Sequence, residues 1–224
     1  MNQKYLKWLI AGTGLCMLGG VFLFGGYAII EPSQLTAASS SATTTSVTLT
    51  VDEQISLTPP ASIALSPNID TTQQSSVGSG SWTVKTNANG GYTLKFTTSG
   101  ANALTNGGSG SFTDLSTTTP TAWSEASAGS YVWGYSAYGS HVATSTWGNA
   151  VACGTAAADA LSTSLNYAGF GTATTTAPTA ASSGAATTPS GTATTLCIAA
   201  EEGDSIYAPA GAYTATVTGT AATQ

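Results

Sequence analysis

The sequence predicts an all-β protein built as an antiparallel β-sandwich behind an N-terminal hydrophobic leader helix. Three observations carry this. Short runs of Val, Leu, Ile and aromatic residues alternate with Thr or Ser at period two, the pattern of strands with one buried face. Turns rich in Gly, Pro and Asn separate the runs, as in sandwiches and barrels. Charged helix formers are scarce: of 224 residues only 4 are Lys or Arg and 10 are Asp or Glu, against 28 Ser and 40 Thr. The topology suits either a jelly roll or an immunoglobulin-like sandwich. Hydrophobic residues make up 42% and the net charge is -6, which is not the low-hydrophobicity, high-charge signature of disorder. With so few cations the chain cannot neutralise many phosphates, so nucleic acid is excluded as a partner.

Residues 1–38 read as a targeting segment. Lys4 and Lys7 form a basic start, and residues 8–30 carry no charge. That run is long enough to span a bilayer, while Thr36, Ala37 and Ala38 supply the small residues of a signal-peptidase site. The segment is therefore either a cleaved signal peptide or an N-terminal membrane anchor. In the second case the membrane is met only through residues 8–30. Both readings export the remainder. Residues 39–45, Ser- and Thr-rich, form a flexible spacer, and 46–224 form a single domain.

The strands follow in order. Val47, Leu49 and Val51 alternate with Thr48 and Thr50. Such a strand completes its own sheet or pairs with the edge of a neighbouring copy. Ile55 and Leu57 keep the period until Pro59 and Pro60, and Ile63 and Leu65 form a short strand before Pro67. The clearest hairpin signal comes next. Trp82 and Val84 on one side, and Tyr92, Leu94 and Phe96 on the other, flank Asn87, Asn89, Gly90 and Gly91. Asn-Gly and Gly-Gly supply the positive φ of a tight turn. Lys85 and Lys95 fall on the outward face, and 99–111 read as a loop. Tyr131, Trp133 and Tyr135 mark an aromatic strand, and Leu196, Ile198 and Ala200 alternate with Cys197. Tyr213, Ala215 and Val217 alternate with Thr214, Thr216 and Thr218 in the closing strand. The only helix candidate is 156–165.

Cysteine usage agrees with export. Beyond Cys16 in the leader, Cys153 and Cys197 remain, an even number suited to a disulfide in an oxidising compartment. The bridge would tether residues 172–195, almost wholly Thr, Ala, Ser, Pro and Gly. That composition predicts a low-complexity loop without a core of its own.

Candidate chemistry is sparse. His141 is the only histidine. A hydrolytic triad would need it beside a serine and Asp114 or Asp159, and no Gly-x-Ser-x-Gly elbow is present. No catalytic residue, metal site or cofactor is expected. Glu201, Glu202 and Asp204 form the one carboxylate cluster that calcium would favour, and read first as a solvated turn. Trp82 and Trp133 sit at core positions of strands. Trp123 and Trp147 fall in loop-like contexts with Tyr138 nearby, where exposed aromatic faces could stack on sugar rings.

Three motifs carry a resemblance. Thr86 to Leu94 is similar to a recurrent Thr-Asn-Ala-x-Asn-Gly-Tyr-Thr-Leu hairpin. Residues 132–135 are similar to a Trp-Gly-Tyr/Phe strand, and 209–217 resemble a closing Pro-Ala-Gly-Thr-Tyr strand. Together they resemble poorly characterised secreted β-sandwich surface proteins of bacteria, and the closing strand is similar to spore-coat-U-like and WxL-type surface domains. No Trp-x-Leu occurs, so the resemblance does not extend to peptidoglycan attachment. It implies a bacterial surface sandwich, secreted or displayed, with no catalytic residues. The expected function is an exported, non-enzymatic structural protein; where the strand of Val47, Leu49 and Val51 is donated to a neighbour and not kept in its own sandwich, copies self-assemble and the partner is the chain itself. The alternatives are an adhesin that binds surface glycans through Trp123, Tyr138 and Trp147, and a hydrolase using His141.

Overall fold

Thirteen strands and one helical turn make up the described part of the chain. A computed structural model describes residues 43–108, 110–116, 118–158 and 161–224. The leader at 1–38 and Asp159 lie outside the described residues. The strands are β1 (Ile55–Thr58), β2 (Ser75–Thr86), β3 (Tyr92–Thr98), β4 (Leu104–Thr105), β5 (Ser111–Asp114), β6 (Thr121–Ala122) and β7 (Tyr131–Tyr138). After helical turn α1 (Thr144–Trp147) come β8 (Thr155–Ala156), β9 (Leu161–Ser162), β10 (Asn166–Tyr167), β11 (Thr179–Ser183), β12 (Thr192–Glu202) and β13 (Val217–Thr223). The protein is all-β. Among the described residues no helix is long and apolar enough to cross a membrane.

Two sheets share one core. The larger has the order β1-β2-β12-β7-β5-β4 and the smaller β11-β3-β13. Trp82, Phe96, Tyr135 and Phe170 meet between them, with Trp82 edge-on to Phe96 at 5.2 Å and Tyr135 stacked on Phe170 at 4.5 Å. The pairing is antiparallel with one exception, β5 beside β7. Parallel neighbours need a long crossover, and residues 115–130 supply it.

The 87–91 turn does not make a hairpin. β2 pairs with β1 and β12, whereas β3 pairs with β11 and β13. The turn carries the chain from one sheet to the other, so Trp82 and Phe96 face each other across the core. The Asn-Gly-Gly chemistry is used as expected, with Gly91 at φ +77, but its neighbours choose different sheets.

Residues 172–195 also differ from expectation. They are not one loop: Thr179–Ser183 is a strand on β3, and Ala177, Ala180, Ala181 and Thr194 are buried. Alanine suffices where β3 already supplies Tyr92 and Leu94, both fully buried. The helix candidate at 156–165 is instead the β8–β9 pair, held to β2 through Gln73 Nε2 and Ser75 Oγ, which both donate to the Ala157 carbonyl. The loop at 99–111 contains β4, which pairs with β5 at its end. The closing strand starts at Val217, later than the alternation indicates, and 63–65 form no strand.

Strand β12 is covered on both faces. Leu196, Ile198 and Ala200 join the main core, while Cys197 and Ala199 join a second cluster with Leu161, Leu165 and Tyr167. The Cys153–Cys197 disulfide, with Cα atoms 5.5 Å apart, fastens that outer cover to the sheet.

Candidate functional site

The N-terminal segment is the first feature of note. Residues 43–54 are exposed throughout and belong to no strand. Val47, Leu49 and Val51 are 90%, 87% and 72% exposed. Three apolar side chains at period two, all in water, form strand chemistry without a sheet. Where the segment ends it is held: Gln54 N donates to Asn87 Oδ1, Asn87 Nδ2 donates to the Asp52 carbonyl at 2.8 Å, and Thr86 Oγ1 donates to the Gln54 carbonyl at 2.7 Å.

The second feature is a groove of about 1420 Å³ over the larger sheet. The smaller sheet does not cover this end of it, and two irregular segments do so instead. Residues 60–64 lie over β2, where glycines admit them: a Cβ at Gly80 would stand 2.6 Å from Ile63 and 2.9 Å from Pro60. At the far side Tyr213 packs edge-on to Phe112 of β5 at 5.1 Å, while Thr214 pairs with Thr105 along the outer edge of β4. Between these margins the floor is β12 and β7, presenting Ile198, Ala200 and Trp133. Along the margins Ile63, Leu65, Tyr213, Ala215 and Val217 are half-buried and alternate with exposed neighbours. The backbones of 61–65 and 215–216 make no hydrogen bond to another backbone group among the described residues.

Three buried polar atoms on groove-lining residues have no hydrogen-bond partner: Trp82 Nε1, Trp133 Nε1 and Glu202 Oε1. The side chains are 8%, 1% and 3% exposed. The other Glu202 oxygen accepts from Ala208 N at 2.8 Å. Burial pushes the Glu202 carboxyl above its usual range, with Asp70 adding repulsion and the Ala208 N–H opposing. Glu201, its neighbour, is also buried. Desolvation raises it too, although Trp123 Nε1 and Ala126 N each donate to its Oε2 at 2.8 Å. The carboxylate cluster is therefore not the solvated turn that the sequence suggests, because these two glutamates end a central strand. Among the described residues no three His, Cys, Asp or Glu side chains are grouped to hold a metal.

The sugar-stacking trio is not brought to one surface. Trp147 is fully buried in the main core, its ring tilted against Tyr135 at 5.1 Å, with Nε1 donating to the Thr179 carbonyl. The loop-like sequence around it hides a helical turn whose one buried residue is this tryptophan. Trp123 and Tyr138 pack instead on the outer cluster, Trp123 edge-on to Tyr167 at 5.1 Å. His141 lies with Nδ1 3.0 Å from the Tyr92 hydroxyl, while Asp114 accepts from Phe170 N. No family model, curated protein or solved structure matches the chain.

Proposed function

We propose that the chain is an exported, non-enzymatic structural protein of a bacterial cell surface. Its β-sandwich unit associates with copies of itself through strand pairing by residues 45–51. The observation that carries this reading is the exposure of Val47, Leu49 and Val51 on a segment with strand periodicity and no sheet. Three exposed apolar residues in register are a hazard for a monomer and an asset for an assembling subunit. The disulfide suits an oxidising compartment outside the cytoplasm. The low charge suits close packing of like subunits, since few ions need desolvating.

The test is assembly. The protein recovered from expressing bacteria would be examined by negative-stain electron microscopy and sedimentation velocity beside Leu49→Lys. Filaments, sheets or discrete oligomers are expected for the unsubstituted chain, and their loss for Leu49→Lys. Monomers in both at every concentration and salt would overturn the reading, as would assemblies that Leu49→Lys leaves intact.

A further inference from the structure

We infer that residues 45–51 of one copy insert as an extended strand into the groove over β12 and β7 of a second copy. This rests on the reading that copies associate through this segment, and it names the site that receives it.

Four properties of the groove select an extended peptide. The first is width. From β2 to β5 the sheet order takes three steps, about 14 Å at the usual strand spacing. Residues 60–64 lie over β2 and the Tyr213 ring packs on Phe112 of β5, which leaves the breadth of two strands over β12 and β7, about 10 Å, enough for an extended chain and too little for a helix with its side chains. The second is its edges, whose backbone groups at 61–65 and 215–216 make no backbone–backbone hydrogen bond among the described residues and are open to pairing with an added strand. The third is lining. The apolar residues Ile63, Leu65, Trp133, Ile198 and Ala215 line the groove, which suits the aliphatic side chains of an entering strand. The fourth is pattern. Val47, Leu49 and Val51 reach one face of an extended strand, over about 14 Å, and Thr48 and Thr50 reach the other. No residue of 45–51 is charged, so nothing anionic approaches Glu202.

The donor is another copy because the chain's own segment is too short. Gln54 is fastened to Asn87, beyond the last residue of β2. Trp82, at the near end of the groove, is five residues back along β2, roughly 17 Å, and Ser76 is eleven back, roughly 36 Å. Val51 stands three residues from Gln54 and reaches at most about 10 Å at full stretch. The chain's own three apolar residues cannot all enter the groove.

The experiment is a cross-link between full-length chains carrying different tags, both with Cys16→Ser. One carries Leu49→Cys. The other carries Ala215→Cys on the groove margin or, as control, Thr188→Cys at an exposed site far along the chain. A disulfide-linked heterodimer is expected with Ala215→Cys and not with Thr188→Cys. Adding Val47→Lys to the donor should lower its yield about tenfold or more, the effect of losing one buried aliphatic contact. Ile63→Cys on the opposite margin replaces Ala215→Cys if the latter does not fold. Assemblies that form without a groove cross-link, or that cross-link equally at residue 188, would overturn the docking site and leave self-association standing. Absence of any associated species would overturn the underlying reading as well.

Discussion

Three carboxylates, Asp114, Glu201 and Glu202, are held inside a protein with only 4 Lys or Arg to answer its 10 acids. Backbone N–H groups stand in for cations. Phe170 N donates to Asp114, while burial raises its carboxyl from 3.8 to about 6. Burial raises Glu201 and Glu202 in the same direction. A raised carboxyl favours the folded state while protonated, so its contribution is complete below the unfolded value and is lost as pH climbs through the folded one. For Asp114 that window runs from 3.8 to about 6. The urea midpoint should therefore fall between pH 4 and pH 7, and fall less in Asp114→Asn. A midpoint flat across that range would contradict this account. Trp147 gives a second residue-scale expectation. Its ring is fully buried, so Trp147→Ala should cost about 3–5 kcal/mol in denaturant unfolding, and a loss near zero would place the ring outside the core.

At the scale of elements, the chain uses short irregular pieces to cover long strands. β12 is the axis, paired on both sides by β2 and β7 and covered on both faces. The disulfide ties its outer cover across a sequence separation of 44. A loop of that length corresponds to about 4 kcal/mol in the chain-entropy account. Cys197→Ser, with Cys153→Ser to avoid a stray thiol, should lower unfolding stability by roughly 2–4 kcal/mol. An unchanged midpoint under oxidising conditions would show that packing alone holds the cover. Elsewhere the smallest residues decide what fits. Gly78 and Gly80 admit residues 60–64 onto β2, and a Cβ on Gly134 would stand 2.6 Å from Leu115.

For the molecule as a whole, Thr50–Gln224 forms one compact unit and should unfold in a single cooperative transition. Leu49 is almost fully exposed, so Leu49→Lys should move that transition by no more than about 0.5 kcal/mol while removing assembly. On the proposed reading, stability and association should separate at this one residue. Coincident loss of both would show that the segment belongs to its own fold.

Local chemistry determined the strand-forming stretches around Trp82, Tyr92, Tyr131 and Leu196, the turn at 87–91 and the cysteine pair, because period-two alternation and positive-φ residues act over a few neighbours. Tertiary structure decided the rest. Whether β2 and β3 pair or face each other depends on long-range partners, β12 for one and β11 and β13 for the other. Strand β11 is written in Thr, Ala and Ser and becomes a strand only because β3 presents a free edge. Trp147 and the two glutamates are buried where the sequence suggests exposure, because their turn-like neighbours say nothing of what packs over them. The groove was illegible for the same reason: its lining comes from 59–71, from Trp82, Leu104, Phe112 and Trp133, and from 198–217. Its candidate occupant was legible. The alternation of Val47, Leu49 and Val51 is local, and only the folded chain showed these side chains exposed, with residues 43–54 forming no strand among the described residues.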